Sequence, residues 1–213
     1  MIRRLILVVL VLLASATTAR AQTLADYDYE HLSFQGLSFD VGYVWPNKVE
    51  PTERYGLRFD LGFLGPGVRI TPSITYWDSK LKATELHRLA TRLSRLPAIR
   101  SQGFAIRASD LGVIRWSDLS INLDGHFAWD TDLGVMTYLG GGVGIHKLNG
   151  RGDLIDGTFI EDLLDAVTAG LTANGGLEFE PIDRLRIYGE ASYTVLSYLR
   201  YPALKFGAAF MLR

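Results

Sequence analysis

The chain has 213 residues, 48% hydrophobic and 21% charged, with a formal net charge of −1, which excludes a disordered polar chain and fits one ordinary domain. That balance leaves no nucleic-acid footprint. Cysteine is absent, so stability must come from a packed core or a hydrogen-bond ladder and not from disulfides.

The first residues, MIRRLILVVLVLLASATTARAQ, carry two arginines, an apolar run over 5–14 and a small-x-small site at Ala19-Arg20-Ala21. This is the pattern of a secretory signal peptide over 1–21, and the apolar run is too short to span a bilayer. Its removal takes away Arg3, Arg4 and Arg20 and no acid, moving the formal charge to −4. Residues 22–35 then read as a short lead. Nothing later approaches the roughly 20 apolar residues of a membrane helix. A membrane could be entered only by strands closed into a barrel, which leave no unpaired backbone group facing lipid.

From residue 36 onward, period-2 alternation recurs eight times, the signature of strands with two unlike faces. The first run sets Leu37, Phe39, Val41, Tyr43 and Trp45 against Ser38, Asp40 and Gly42; the second sets Leu57, Phe59, Leu61 and Phe63 against Arg58, Asp60 and Gly62. The third sets Val68, Ile70, Ile74 and Tyr76 against Arg69, Thr71, Ser73 and Thr75, with Pro72 on the apolar parity at the cost of one ladder donor. The fourth opposes Leu119, Ile121, Leu123 and Phe127 to Ser120, Asn122, Asp124 and His126. In the fifth, Leu133, Val135, Leu139, Val143 and Ile145 face away from a file of glycines at 134, 140, 142 and 144. The sixth opposes Leu171, Leu177 and Phe179 to Thr172, Asn174, Glu178 and Glu180. The seventh opposes Leu185, Ile187, Ala191, Tyr193 and Val195 to Arg186, Tyr188, Glu190, Ser192 and Thr194. The eighth, LKFGAAFML, sets Leu204, Phe206, Ala208, Phe210 and Leu212 against Lys205, Gly207 and Ala209.

Runs of this length suit tilted strands crossing a bilayer. The connections read 46–54, a turn at 65–67, a long insertion at 79–116, a turn at 130–132, a second insertion at 147–169, a turn at 181–184 and a short loop at 197–203, an alternation expected when one rim carries turns and the other carries loops. A soluble barrel would turn its apolar set inward. Here the polar set is small and holds both charge signs, which suits a narrow interior, and the bulky set suits a lipid-facing band. The expected fold is therefore all-β, an eight-stranded antiparallel transmembrane β-barrel over 36–213, with short helices in insertions at about 80–115 and 147–169.

The terminal stretch KFGAAFML resembles the carboxy-terminal assembly signal of bacterial outer-membrane proteins, with Lys205, Gly207, Phe210 and Leu212 at its four defining places. It departs from that pattern in ending on Leu212 and Arg213. Together with eight runs in the mature chain, it makes the sequence similar to the small OmpA/OmpX-like outer-membrane β-barrel domain family. The resemblance implies a bacterial outer-membrane location, recognition by the β-barrel assembly machinery, and surroundings of outer-membrane lipid and lipopolysaccharide. A monomer is expected.

The charges on the inward parity are Asp40, Arg58, Asp60, Arg69, Asp124, Glu178, Glu180, Arg186, Glu190 and Lys205. Eight strands leave an interior filled by side chains, so these residues read as a compensated ion-pair cluster, with Glu178 or Glu180 opposite Arg186 as its expected pair. None of His31, His87, His126 and His146 has a second histidine or a cysteine at ligand spacing, so no metal or cofactor is expected. His146 with Ser192 or Ser197 would be the only hydrolytic grouping, and no motif joins them. In the first insertion Arg88, Arg92 and Arg95 accompany Leu86, Leu89, Leu93 and Leu96 at helical spacing, a basic amphipathic helix. The second is acidic, with Asp153, Asp156, Glu161, Asp162 and Asp165 around Phe159, Ile160, Leu163 and Leu164. The two are expected to pack over the mouth, and the three arginines to bind lipopolysaccharide or an external ligand. No enzyme is expected. A lipid A-modifying enzyme at the rim and a passage for small hydrophobic compounds are the alternatives.

Overall fold

A computed structural model describes residues 32–101, 106–131 and 134–212. The signal peptide, His31 and most of the lead lie outside the described residues. The strands are β1 (Gly36–Val44), β2 (Thr52–Asp60), β3 (Phe63–Gly65), β4 (Val68–Lys80), β5 (Arg115–Asp130), β6 (Val135–Arg151), β7 (Ala166–Ile182), β8 (Leu185–Leu196) and β9 (Arg200–Met211). Every strand pairs antiparallel with its neighbours, and the pairings β1–β9 and β2–β4 close the sheet on itself. β3 is the lower continuation of β2. Gly62 takes a φ of +78° and breaks the strand there, while Leu61 N donates to Ile70 O and Ile70 N to Gly62 O, so that the ladder with β4 runs on. The wall is thus an eight-stranded antiparallel barrel.

One rim, here the lower, holds both ends of the barrel and the tight turns. Ser33 N donates to Leu61 O, Gln35 N to Asp60 O and Leu212 N to Gln35 O, which knits residues 33–35 to the base of the wall. The upper rim carries the long connections. On it sit α1 (Ala83–Ser94), the single turn α2 (Pro97–Arg100), a 3-10 turn (Ala108–Leu111) and α3 (Phe159–Leu164).

The insertions are shorter than the alternation suggests. β4 reaches Lys80, β5 starts at Arg115, β6 runs on to Arg151 and β7 begins at Ala166, leaving connections at 81–114 and 152–165. The apolar parity stops near Tyr76, Leu119 and Ile145, but hydrogen bonding between the strands continues beyond it with polar residues outside, among them Lys80, Arg115 and Lys147, and with Trp77, Trp116 and Leu148 turned inward. β2 likewise begins at Thr52, before its apolar parity starts.

The parity orientation is apolar-out. Val143, Ile121, Phe206, Leu171 and Leu123 expose between 50 and 65% of their surface around the wall. The residues alternating with them, among them Ser38, Asp40, Thr75, Ser120 and Glu190, are buried. Leaving this much apolar surface in water would cost about 25 cal/mol per Å², so the exterior belongs in hydrocarbon. Among the described residues no helix is long and apolar enough to cross a membrane.

Candidate functional site: the sealed interior and the outer cap

The interior is layered. In the lower half, Arg69 grips Glu178 through two parallel bonds, Nη1 to Oε2 and Nη2 to Oε1, both 2.6 Å. Its Nη1 also stands 3.7 Å from Asp60 Oδ2. Arg58 lies 3.7 Å from Glu178 and pairs directly with Glu190. Lys205 Nζ reaches Glu190 Oε1 at 2.8 Å, and Tyr138 OH donates to Glu190 Oε2 at 2.9 Å. Tyr188 OH donates to Asp40 Oδ2 at 3.1 Å, and its ring lies under the Arg58 guanidinium, 4.3 Å from centroid to carbon. Buried charges are costly unless paired and hydrogen-bonded, and this cluster supplies both.

Glycines make the space for it. A Cβ on Gly207 would overlap the Tyr188 ring, one on Gly176 the Tyr138 ring, and one on Gly142 the Asp124 carboxylate. The glycine file of β6 and β7 is the set of seats on which neighbouring inward side chains rest.

Above the ion pairs the inward face turns to hydroxyls and amides around a narrow polar chamber that Arg54, Ser120, Asp124, Asn174 and Thr194 help to line. Asp124 accepts from Asn174 Nδ2 at 3.0 Å. Higher still, His146 Nδ1 bonds the Asp118 carboxylate at 2.9 Å, and Tyr201 OH donates to the same carboxylate at 3.2 Å. An apolar plug then closes the bore, formed by Val44, Val49, Trp77, Trp116, Leu148, Leu196, Leu199, Tyr201 and Ala203. Trp77 and Tyr201 meet edge-on with ring centroids 5.8 Å apart.

The cap sits on the plug. Ala90 and Leu93 of α1, Leu111, Ile114, Ile155 and Ile160 of α3 share a second buried cluster, and Leu81 packs against both clusters. The two insertions therefore meet through apolar side chains. Trp116 Nε1 donates to Leu164 O at 2.9 Å and ties α3 to the wall. Arg88, Arg92 and Arg95 are all exposed on the far face of α1, Arg88 beside Glu85. Lys48, from the first upper connection, stacks over Trp116 at 5.8 Å and Tyr198 at 5.7 Å. Partial burial pushes its ammonium below the ordinary lysine value, with Arg92 and Arg88 adding to the effect and Glu85 opposing it.

Asp40, Arg58, Asp60, Arg69, Asp124, Glu178, Glu190 and Lys205 are buried within the bore. Glu180 is not: its side chain is 46% exposed at the lower rim, because the β7–β8 register shifts after Phe179. Arg186 is half-buried there, 3.3 Å from Glu180 and 3.6 Å from Asp60, so Glu180 and not Glu178 is its partner in the hairpin. Lys205 and Gly207 of the terminal stretch point into the barrel, while Phe210 and Leu212 are exposed on its outer surface. Alternation missed Arg54, Asp118, Tyr138 and Tyr201. The first two lie beyond the apolar runs that marked the strands, and the tyrosines are apolar-looking letters on the inward parity.

His146 joins neither serine. Ser197 Oγ lies 3.3 Å from Thr168 Oγ1, and Ser192 lines the polar chamber. Among the described residues no group of three or more His, Asp or Glu side chains could hold a metal ion.

No family model matches the chain, and no curated protein sequence matches it. Solved structures do. Neisserial surface protein A superposes with a TM-score of 0.55 at 11% identity, over 82% of this chain and 95% of that one. A major outer membrane protein from Thermus thermophilus superposes with a TM-score of 0.53 at 10% identity, over 83% and 99%. The chain has the fold of the small outer-membrane β-barrels. At such identities the likeness lies in strand number, pairing and closure.

Proposed function

We propose that the chain is an integral protein of a bacterial outer membrane whose bore is structural and whose interaction surface is the cap on its upper, outward rim. The observation that carries this reading is an apolar exterior wrapped around a bore closed twice, by ion pairs below and by the Trp77–Tyr201 plug above. A bore filled in this way argues against a route for solutes. The Asp118–His146 pair has no hydroxyl within bonding distance of its free Nε2, which argues against a hydrolase. The closed ladder leaves the wall without a free edge around the band, in keeping with a monomer. Phe210 and Leu212 face outward, where the assembly machinery would read them. Lys205 and Gly207 of the same signal are taken up by Glu190 and Tyr188 once the barrel closes.

Arg88, Arg92 and Arg95 recur along one exposed face of α1, and basic clusters attract anionic headgroups. Their ligand is the phosphorylated sugar of lipopolysaccharide. Binding of purified lipopolysaccharide to the refolded protein should fall severalfold in the triple variant R88E/R92E/R95E; unaltered binding would refute a role for the helix.

A further inference from the structure

Three cations meet in one cross-strand row on the outside of the wall. Lys80 ends β4, Arg115 begins β5 and Arg151 ends β6, and the pairing sets Lys80 opposite Arg115 and Arg115 opposite Arg151. All three are exposed, and the residues alternating with them, Ser79, Trp116 and Gly150, are buried, so the three cations point away from the bore. Lys147, four residues down β6, is exposed on the same face. With strands about 4.8 Å apart the row spans roughly 10 Å.

Like charges directly opposite one another destabilise a strand pair. Here the compensation is incomplete. Arg115 is paired with Asp78, and Arg151 Nε donates to Asn149 Oδ1 at 2.7 Å. The nearby Asp165 carboxylate is taken up by Asn149 Nδ2 at 3.0 Å and by Gly150 N at 2.9 Å. The Lys80 side chain has no ion pair among the described residues. Excess positive charge is thus held at a fixed spacing by the most regular part of the fold.

Its height is set as well. Below the row the same face turns to Tyr76 and Leu119, then to Ile74, Ile121 and Ile145, all exposed. Arg115 stands four residues above Leu119, roughly 13 Å along the strand and less along the barrel axis because strands tilt. That is where the headgroups begin above hydrocarbon. Snorkelling anchors would ring the barrel evenly, yet the outward residues near the upper ends of β1, β2 and β8 are Tyr43, Glu53 and Val195, and β9, across the barrel from β5, contributes a single cation, Arg200. The cations are concentrated on β4 to β6.

We propose that Lys80, Arg115, Arg151 and Lys147 form a binding site for the phosphomonoester headgroup of a lipid in the outer leaflet. The arginine forks match phosphate oxygens, Lys80 adds charge beside them, and Lys147, opposite Leu119 and four residues lower, snorkels up toward the same headgroup. The site rests on the reading that the wall is membrane-embedded, and it is separate from the α1 arginines.

The test reconstitutes the protein in phosphatidylcholine vesicles containing a minority of phosphatidic acid and measures, by native mass spectrometry, the enrichment of phosphatidic acid among the lipids that stay bound. The variant K80Q/R115Q/R151Q removes three of the four cations and should lower enrichment roughly tenfold or more. R200Q, which removes an outward cation on the far side of the wall, should change it little, and D78N, which removes the competing carboxylate, should raise it. Equal enrichment in wild type and K80Q/R115Q/R151Q, or a D78N variant no richer than wild type, would overturn the site. So would displacement of the lipid by millimolar inorganic phosphate, which would mark a soluble-anion site. Failure of the wild type to enter vesicles as a heat-modifiable species would instead overturn the embedded barrel.

Discussion

Glu190 accepts from Arg58, Lys205 and Tyr138 at once and so joins β2, β9 and β6 across the bore. Replacing it with glutamine takes the carboxylate from buried Lys205 and leaves Arg58 with only Glu178 at 3.7 Å, a change that costs about 3–5 kcal/mol where a buried pair loses one member. Glu190→Gln should therefore lower the urea midpoint of refolded protein in detergent, and lower it more than Glu180→Gln, whose carboxylate is already exposed; equal midpoints would show that Glu190 is not the hub of the cluster. Single letters were legible to the extent that parity held. Asp40, Arg58 and Lys205 fall inside regular alternation, and their inward direction could be read. Glu180 shares that parity but lies past a register shift, which no spacing reveals. Tyr138 and Tyr201 hide among apolar letters, because a tyrosine shows its polar end only where a partner such as Glu190 or Asp118 is in reach.

Among the elements, β4 to β7 show how a strand can outrun its pattern. Hydrophobic alternation records the solvent on the outer face, and it ends where hydrocarbon ends. Backbone pairing has no such limit, so β6 carries on through Lys147, Asn149 and Arg151. The basic helix was legible from its leucine spacing, and α1 buries Leu93, while Leu96 lies past its end and is exposed. The packing of the two insertions was legible as well, from their opposite charges and matching apolar stripes, and it is the apolar side chains that make the contact. Leu93→Ala and Ile155→Ala each remove branched carbons from the shared cluster, a loss of about 2–5 kcal/mol for a fully buried site. Each variant should speed amide exchange across α1 and leave β1 and β9 as protected as in wild type, because the plug beneath belongs to the wall. Faster exchange throughout the barrel would mean that cap and wall unfold as one unit.

At the scale of the whole molecule, one two-letter rhythm serves two solvents. Bulky residues at every second place meet hydrocarbon, and small or charged residues between them fill a bore too narrow for an open channel. Strand number, closure and orientation were all legible, since each depends on alternation and on the spacing of turns. The plug was not. Val44, Trp77, Leu148, Leu196 and Tyr201 come from five strands and meet only after closure. The absence of cysteine makes the central claim directly testable. Leu123→Cys and Val143→Cys place a single thiol on the outer face of the wall, and Arg88→Cys places one on the cap. With an environment-sensitive fluorophore at each position in reconstituted vesicles, brominated lipid should quench positions 123 and 143 strongly and position 88 little. Reaction of the two wall thiols with a charged, membrane-impermeant maleimide, together with fluorescence indifferent to brominated lipid, would contradict the embedded barrel and every function proposed from it.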